Sequence, residues 1–338
     1  MKDFFITASP LMILFSPLRP TVTRVVWLVP IVSCWMFARK PVVVWMYVPG
    51  LWIVRQFILY IRRSVFGSGL DAPVFLLTHH KVGTKLTRSV FRDLARKRGW
   101  KFCGLRGLVK EIPENTDVIQ LIHGMVDEGV IGEEHRGVRI IRDPRDVIVS
   151  GYLYHQRCDE QWCLNTDFTN PERRFPQVPW PLDGATLGQR ESFVESLGGI
   201  SYQENLRRLG DDEGLVFEMD GYAGITVQQM VGWRTMENVL TIKMEDMMND
   251  YDGSFERIFR WLNFEEEIVR DCVKVAGAHD MNRMTKEEIE AHHHISTGKL
   301  RKWEAFFTDE IKTAYSTRFG DAHLTLGYSD FDYSPPLK

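Results

Sequence analysis

Val74-Phe-Leu-Leu-Thr-His-His-Lys-Val-Gly-Thr-Lys-Leu86 reads as a strand that runs into a helix. The apolar run 74–77 stops at a short basic turn. Leu86, Val90, Phe91 and Leu94 then recur at the spacing of one helical face. The turn therefore sits at a helix N-terminus, where unpaired backbone N–H groups and the positive end of the helix dipole favour an anion. Gly83 removes the Cβ that would hold a phosphate away, Lys81 and Lys85 add charge, and Thr84 and Thr87 add hydroxyls. A nucleotide-triphosphatase loop is excluded: Thr78 stands where its first Gly belongs, and Thr84 separates Gly83 from Lys85.

A second strand–helix junction follows at Val138-Arg-Ile-Ile-Arg-Asp-Pro-Arg-Asp-Val-Ile-Val-Ser150. Residues 138–141 read as a buried strand that delivers Arg142 to its end, Asp143 suits a helix cap, and Pro144 suits the first helical position. Ser150, roughly two turns into that helix, lies on a face that looks back toward an anion held by Arg142.

Together the two junctions resemble the sulfotransferases that use 3′-phosphoadenosine 5′-phosphosulfate (PAPS). His80-Lys81-Val82-Gly83-Thr84 is similar to that family's Pro-Lys-Ser-Gly-Thr loop for the 5′-phosphosulfate. Arg142-Asp-Pro-Arg-Asp146 with Val149-Ser150-Gly-Tyr152 is similar to its 3′-phosphate motif. Val239-Leu-Thr-Ile-Lys-Met-Glu-Asp-Met247 resembles its strand ending in Tyr-Glu-Asp-Leu, with an amphipathic helix over 255–262. Gly298-Lys-Leu-Arg-Lys-Trp303 and Phe307-Thr308 resemble the segment that closes over the 3′-phosphate. The resemblance spans roughly 72–330. It implies donor contacts from Lys81, Val82, Gly83, Thr84, Lys85, Arg142, Ser150, Gly298, Lys299 and Arg301. Lys85, Met244 and Arg301 depart from the family pattern, standing where it has Thr, Tyr and Gly.

Sulfuryl transfer needs an acceptor hydroxyl in line with the leaving phosphate, a base for its proton, and a cation at the bridging oxygen. Lys81 is the expected cation. His123 is the expected base, placed after the strand-like run 117–122 at the family's spacing before Arg142, although Leu121-Ile122 replaces the usual Lys-Thr. Glu133 and Glu134 are the reserve, because some carbohydrate-directed members use a carboxylate.

The chemistry calls for no metal. His292-His293-His294 lacks the i, i+4 spacing of a zinc helix, and its rings point in different directions. A P-loop-like kinase would carry Ser or Thr directly after the loop lysine, where Leu86 follows Lys85. A phosphonucleotide-binding membrane protein without transfer activity is the other alternative.

Strand-like runs beginning at Val74, Val118, Val138, Leu215 and Val239 alternate with amphipathic helices. They predict a three-layer α/β domain over 71–338, a parallel sheet with helices on both faces, which the resemblance identifies as the P-loop NTPase-like sulfotransferase fold. Residues 1–70 are expected to form an apolar, basic, helical segment. Between 4 and 70 there is no Asp or Glu, while Arg19, Arg24, Arg39, Lys40, Arg55, Arg62 and Arg63 supply charge and Trp27, Trp35, Trp45 and Trp52 recur. Beyond residue 70 the balance reverses to 34 basic against 44 acidic side chains, within a net charge of −3 for the whole chain. Aromatic rings and cations around apolar runs suit a membrane interface, so 1–70 is read as membrane-associating. Only 42–61 reaches the ~20 residues that span a bilayer, and it contains Arg55 and Pro49-Gly50.

Five Cys and no Asn-x-Ser/Thr site lean to the cytosolic face, while the resemblance leans to the Golgi lumen, so sidedness stays open. The expected acceptor bears a hydroxyl on a carbohydrate, lipid or small alcohol. The aromatic, proline-rich stretch 162–181 is the expected wall of its pocket, and no nucleic-acid partner is expected.

Overall fold

The computed structural model describes residues 8–9, 31–32, 70, 72–285 and 300–331, apart from 124, 127–128, 171 and 173. The chain divides into two units, Met1–Phe57 and Ile58–Lys338. In the first, the four described residues pair as antiparallel strands, Ala8–Ser9 with Ile31–Val32. The remainder of the helical, membrane-associating segment expected over 1–70 lies outside the described residues, apart from Leu70. No helix among the described residues is long and apolar enough to cross a membrane.

The second unit is built on five parallel strands: β1 (Val74–Thr78), β2 (Phe102–Leu105), β3 (Val118–Ile122), β4 (Arg136–Ile141) and β5 (Val239–Lys243). Their order is β2-β3-β1-β4-β5. β1 pairs with both β3 and β4, from Val74↔Val118 and from Val74↔Arg136, so the two junctions leave the sheet side by side. β1 and β3 are buried at every position, which is why each reads as a continuous apolar run rather than an alternating one.

Alternate residues of each strand serve opposite faces. Val74 and Leu76 join Val90, Phe91 and Leu94 of α1 (Thr84–Arg98), while Phe75 and Leu77 join Ile119, Leu121, Val109 and Ile131. α1 stops at Gly99, whose left-handed backbone lets its N–H close on the Ala95 carbonyl at 2.8 Å, with Arg96, Lys97 and Arg98 at the negative end of the dipole.

α2 (Pro144–His155) starts where Asp143 accepts from the Arg145 N–H at 3.0 Å. It is buried nearly all round, so its polar side chains Arg145, Asp146, Ser150 and His155 are all inside the protein. It packs against α3 (Asp211–Asp220) and α4 (Tyr222–Val231). The C-terminal end of α4 reaches the second sheet face, where Arg139 donates to the Met230 carbonyl.

One expected strand is corrected. The run at Leu215 lies in α3, because a short apolar stretch does not by itself separate strand from buried helix. Asp211, Asp212 and Glu213 in its first turn favour the helical reading, and Glu213 accepts from the Gly210 N–H. The fifth strand is the edge strand β2 instead. At its Gly104 a Cβ would stand 2.8 Å from the terminal Cδ1 of Ile122, so a larger residue there would have to shift that methyl group.

Candidate active site

The first junction is a strained turn. Lys81 (φ 57°) and Gly83 (φ 71°) both take the left-handed backbone, and Val82 is fully buried, its N–H closing on the His79 carbonyl at 3.2 Å. Thr84 Oγ1 donates to the His79 carbonyl at 2.9 Å, and Thr87 Oγ1 lies 3.1 Å from the Gly83 and Thr84 carbonyls. Gln120 Nε2, from β3, donates to both Thr84 O (2.9 Å) and Thr87 Oγ1 (3.0 Å). The two hydroxyl protons expected to meet an anion are thus turned to the backbone. The first-turn N–H groups of α1 have no intrahelical acceptor, so they and Lys81 are the groups of the loop suited to an anion. Lys85 lines the cleft but is exposed.

At the second junction Arg142 donates from Nη1 to the Lys81 carbonyl (3.2 Å) and from Nη2 to Asp146 (3.3 Å), and its buried Nε has no partner among the described residues. Asp146, wholly buried, also accepts from the backbone N–H groups of Arg301 (2.9 Å) and Trp303 (3.0 Å). This docks the C-terminal segment on the start of α2. Arg145 grips Asp143 through two contacts of 2.9 and 2.7 Å and lies 3.8 Å over the Trp303 ring. The Arg301 side chain turns to Glu304, and Lys302 lines the cleft beside it. Gly298, Lys299 and the histidine triplet 292–294 lie outside the described residues.

These elements line an open cleft of about 220 Å³, whose lining includes Lys81, Gly83, Thr84, His123, Arg142 and Ser150. His123 leaves β3 with φ 53°, and its Nδ1 lies 2.9 Å from the Tyr222 hydroxyl. His80 also faces the cleft. Its ring clusters with those of Tyr222 (4.3 Å) and His155 (4.9 Å), which lie 5.6 Å from each other, and both its nitrogens are buried with no partner among the described residues. Beneath it, Glu218 accepts from His155 Nδ1, Tyr202 OH and the Ala223 N–H, at 3.0 to 3.1 Å.

The cleft is cation-rich. Burial, then Arg142, lowers the Lys81 ammonium to about 7, and Glu160 opposes that shift. Burial, then His79 and nearby arginines, lowers His123 to about 3, so the imidazole is neutral at ordinary pH.

Glu133 and Glu134 do not line this cleft. Glu133 lines a separate depression with Trp233 and Arg234, and Glu134 is exposed beside His135. The 162–181 stretch contributes no lining residue among the described ones. Trp162 packs edge-on against Tyr222, and Phe175 stacks on Trp180 at 4.1 Å. The cleft carboxylate is Glu160, which sequence reasoning missed. It accepts from Tyr154 OH at 2.8 Å and Trp162 Nε1 at 2.6 Å. Tyr154, whose ring lies 3.8 Å beneath Lys81 Nζ, was also missed, although i, i+4 spacing from Ser150 places it on the same helical face. No spacing signal pointed to Glu160 or Tyr222. Among the described residues no group of three His, Cys, Asp or Glu side chains is placed to share a metal ion.

A profile described as the sulfotransferase domain matches residues 121–324, more than half of the chain. It includes the Arg142 junction and begins after the Lys81 loop. Among solved structures, mouse sulfotransferase SULT7A1 complexed with PAP superposes with a TM-score of 0.40 at 14% identity, over 77% of this chain and 86% of that one. Retinol dehydratase in complex with androsterone and inactive cofactor PAP gives 0.34 at 14% identity, over 78% and 82%. Neither superposition bears on individual residues of the cleft. Comparison with curated proteins returned no match.

Proposed function

The chain belongs to the sulfotransferase domain family, and from that premise we propose that its cleft binds PAPS and passes the sulfuryl group to a hydroxyl acceptor. The observation that carries this reading is the meeting of Lys81, Arg142 and His123 in one cleft, although they lie on three different strand ends. The residues suit an anion of that size. Two cationic side chains and open helix N–H groups converge, the Arg142 guanidinium keeps one buried nitrogen unpartnered among the described residues, and an ammonium lowered to about 7 regains its proton when negative charge arrives.

PAPS supplies the activated sulfuryl group; the chain's own residues supply position, charge and a proton acceptor. Arg142 and Ser150 suit the 3′-phosphate, and Lys81 with the first turn of α1 suits the phosphosulfate and the charge released on its bridging oxygen. His123 takes the acceptor's proton. In the tautomer that donates from Nδ1 to Tyr222, its Nε2 keeps a lone pair.

The acceptor is a carbohydrate, lipid or small alcohol, and the side chains of His80 and Tyr154 contribute to the lining of the cleft it would enter. The basic, Trp-rich composition of 1–70 supports a membrane-associated enzyme; co-flotation of the full chain with anionic liposomes tests that, and recovery entirely in the soluble fraction rejects it.

The first experiment compares thermal stabilisation of the full chain by 3′-phosphoadenosine 5′-phosphate, AMP and ATP. A ligand at ~100 times its Kd adds about 2.7 kcal/mol. Selective stabilisation by the 3′-phosphorylated nucleotide is expected. Equal stabilisation by ATP, or none by any of the three, rejects the donor assignment.

A further inference from the structure

Just past the end of α2 the backbone turns sharply, and two cysteines meet across the turn. Cys158 N–H closes on the Tyr154 carbonyl at 2.9 Å, and the chain re-enters the protein as the short helix Gln161–Leu164, which carries Cys163. Both sulfurs approach one backbone atom, the His155 carbonyl oxygen, at 4.0 Å for Cys158 and 3.5 Å for Cys163. The two thiols are close enough to shift each other's ionisation. All four described cysteines, Cys103, Cys158, Cys163 and Cys272, are free thiols in this structure.

We propose that Cys158 and Cys163 form a dithiol–disulfide pair, closed by thiol–disulfide exchange with a small-molecule disulfide, that staples the wall of the donor cleft. The bracketed segment holds Glu160, which lines the cleft, and Trp162, which packs on Tyr222. The bridge therefore covalently fixes the strip of chain that sets the carboxylate beside Lys81.

The two sulfurs are unequal. Cys158 is 7% exposed and Cys163 is wholly buried, so an external disulfide meets Cys158 first. The neighbouring Cys163 thiol lowers the Cys158 thiol to about 7, and Cys158, with burial, raises Cys163. The Cys158 thiolate attacks one sulfur of the reagent, breaking its S–S bond and releasing one thiolate. Cys163 gives its proton to solvent and attacks the Cys158 sulfur of the mixed disulfide, releasing the second thiolate. Two electrons pass from the cysteines to the reagent, and one S–S bond is formed for one broken.

The test uses the full chain incubated with oxidised glutathione, then denatured, alkylated and mapped by mass spectrometry without reduction. The expected result is a 158–163 peptide lighter by two hydrogens, with Cys103 and Cys272 alkylated. Cys163→Ala is expected to stop at a stable glutathione adduct on Cys158. Recovery of Cys158 and Cys163 both alkylated, or a lasting adduct on Cys158 of the unmutated chain, overturns the proposal. The readout needs no transfer activity and stands or falls apart from the donor assignment.

Discussion

Arg142 donates from Nη1 to the carbonyl oxygen of Lys81 at 3.2 Å, across 61 positions of sequence. One guanidinium thereby ties the two strand–helix junctions together, and its other contact, to Asp146, ties both to the C-terminal segment. A substitution here acts on three elements at once.

Arg142→Ala should abolish measurable binding of 3′-phosphoadenosine 5′-phosphate and, by leaving buried Asp146 without its cation, cost about 3 kcal/mol of stability. Calorimetric titration and urea unfolding check the two effects. Arg142→Lys keeps the charge without the fork that reaches both the Lys81 carbonyl and Asp146, so it should recover stability only in part. Binding unchanged in the Ala variant would place the 3′-phosphate elsewhere.

The pH dependence follows from Lys81. Its folded value of about 7 lies below its ordinary 10.5, so between these values the unfolded chain binds more protons and apo stability rises with pH. The contribution is fully present above 10.5 and lost as pH falls through about 7. Anion binding runs the other way, because it favours the protonated ammonium: affinity for 3′-phosphoadenosine 5′-phosphate should fall as pH rises through 7, with proton uptake visible in buffers of different ionisation enthalpy. Glu160→Gln removes the charge that opposes the shift and should move this transition to lower pH.

His123→Ala should retain nucleotide binding and lose turnover by roughly a hundredfold or more. Because burial holds the imidazole near 3, its NMR resonances in the apo protein should show no titration around pH 6.5. An Ala variant with normal turnover would move the proton acceptor to Glu160, the carboxylate in the same cleft.

Gly83→Ala tests the loop by conformation alone. The nearest atom to the added Cβ is Met247 Cε, at 3.9 Å, so there is room, but the φ of 71° is left-handed. The expected cost is about 1 kcal/mol in urea unfolding, with weaker nucleotide binding as the turn relaxes. Unaltered stability and binding would show that the loop tolerates a different backbone.

Much of the site was legible because it lies at strand–helix junctions, where local chemistry is strong. A buried apolar run, a Gly or an Asp-Pro, and a helical face declare themselves within a dozen residues, as at Lys81 and Arg142. The strand expected at Leu215 failed where that chemistry is weak, since a short apolar run in α3 carries no period that separates helix from strand. Thr84 and Thr87 were readable as hydroxyls, but whether those hydroxyls meet an anion or a carbonyl depends on Gln120, one strand away.

From the sequence alone come the parallel α/β plan and the two strand–helix junctions with Lys81 and Arg142, because each is set by near neighbours in the chain, while His123 came from its spacing in the family resemblance. Only the tertiary structure decided which side chains share the cleft. It brought in Glu160 and Lys302, set buried Tyr222 against His123, and left Glu133 and Glu134 outside. It also set protonation: Lys81 and His123 are shifted first by burial and then by charges from distant segments. Desolvation and Coulomb energy depend on distance in space, and spacing along the chain does not encode it.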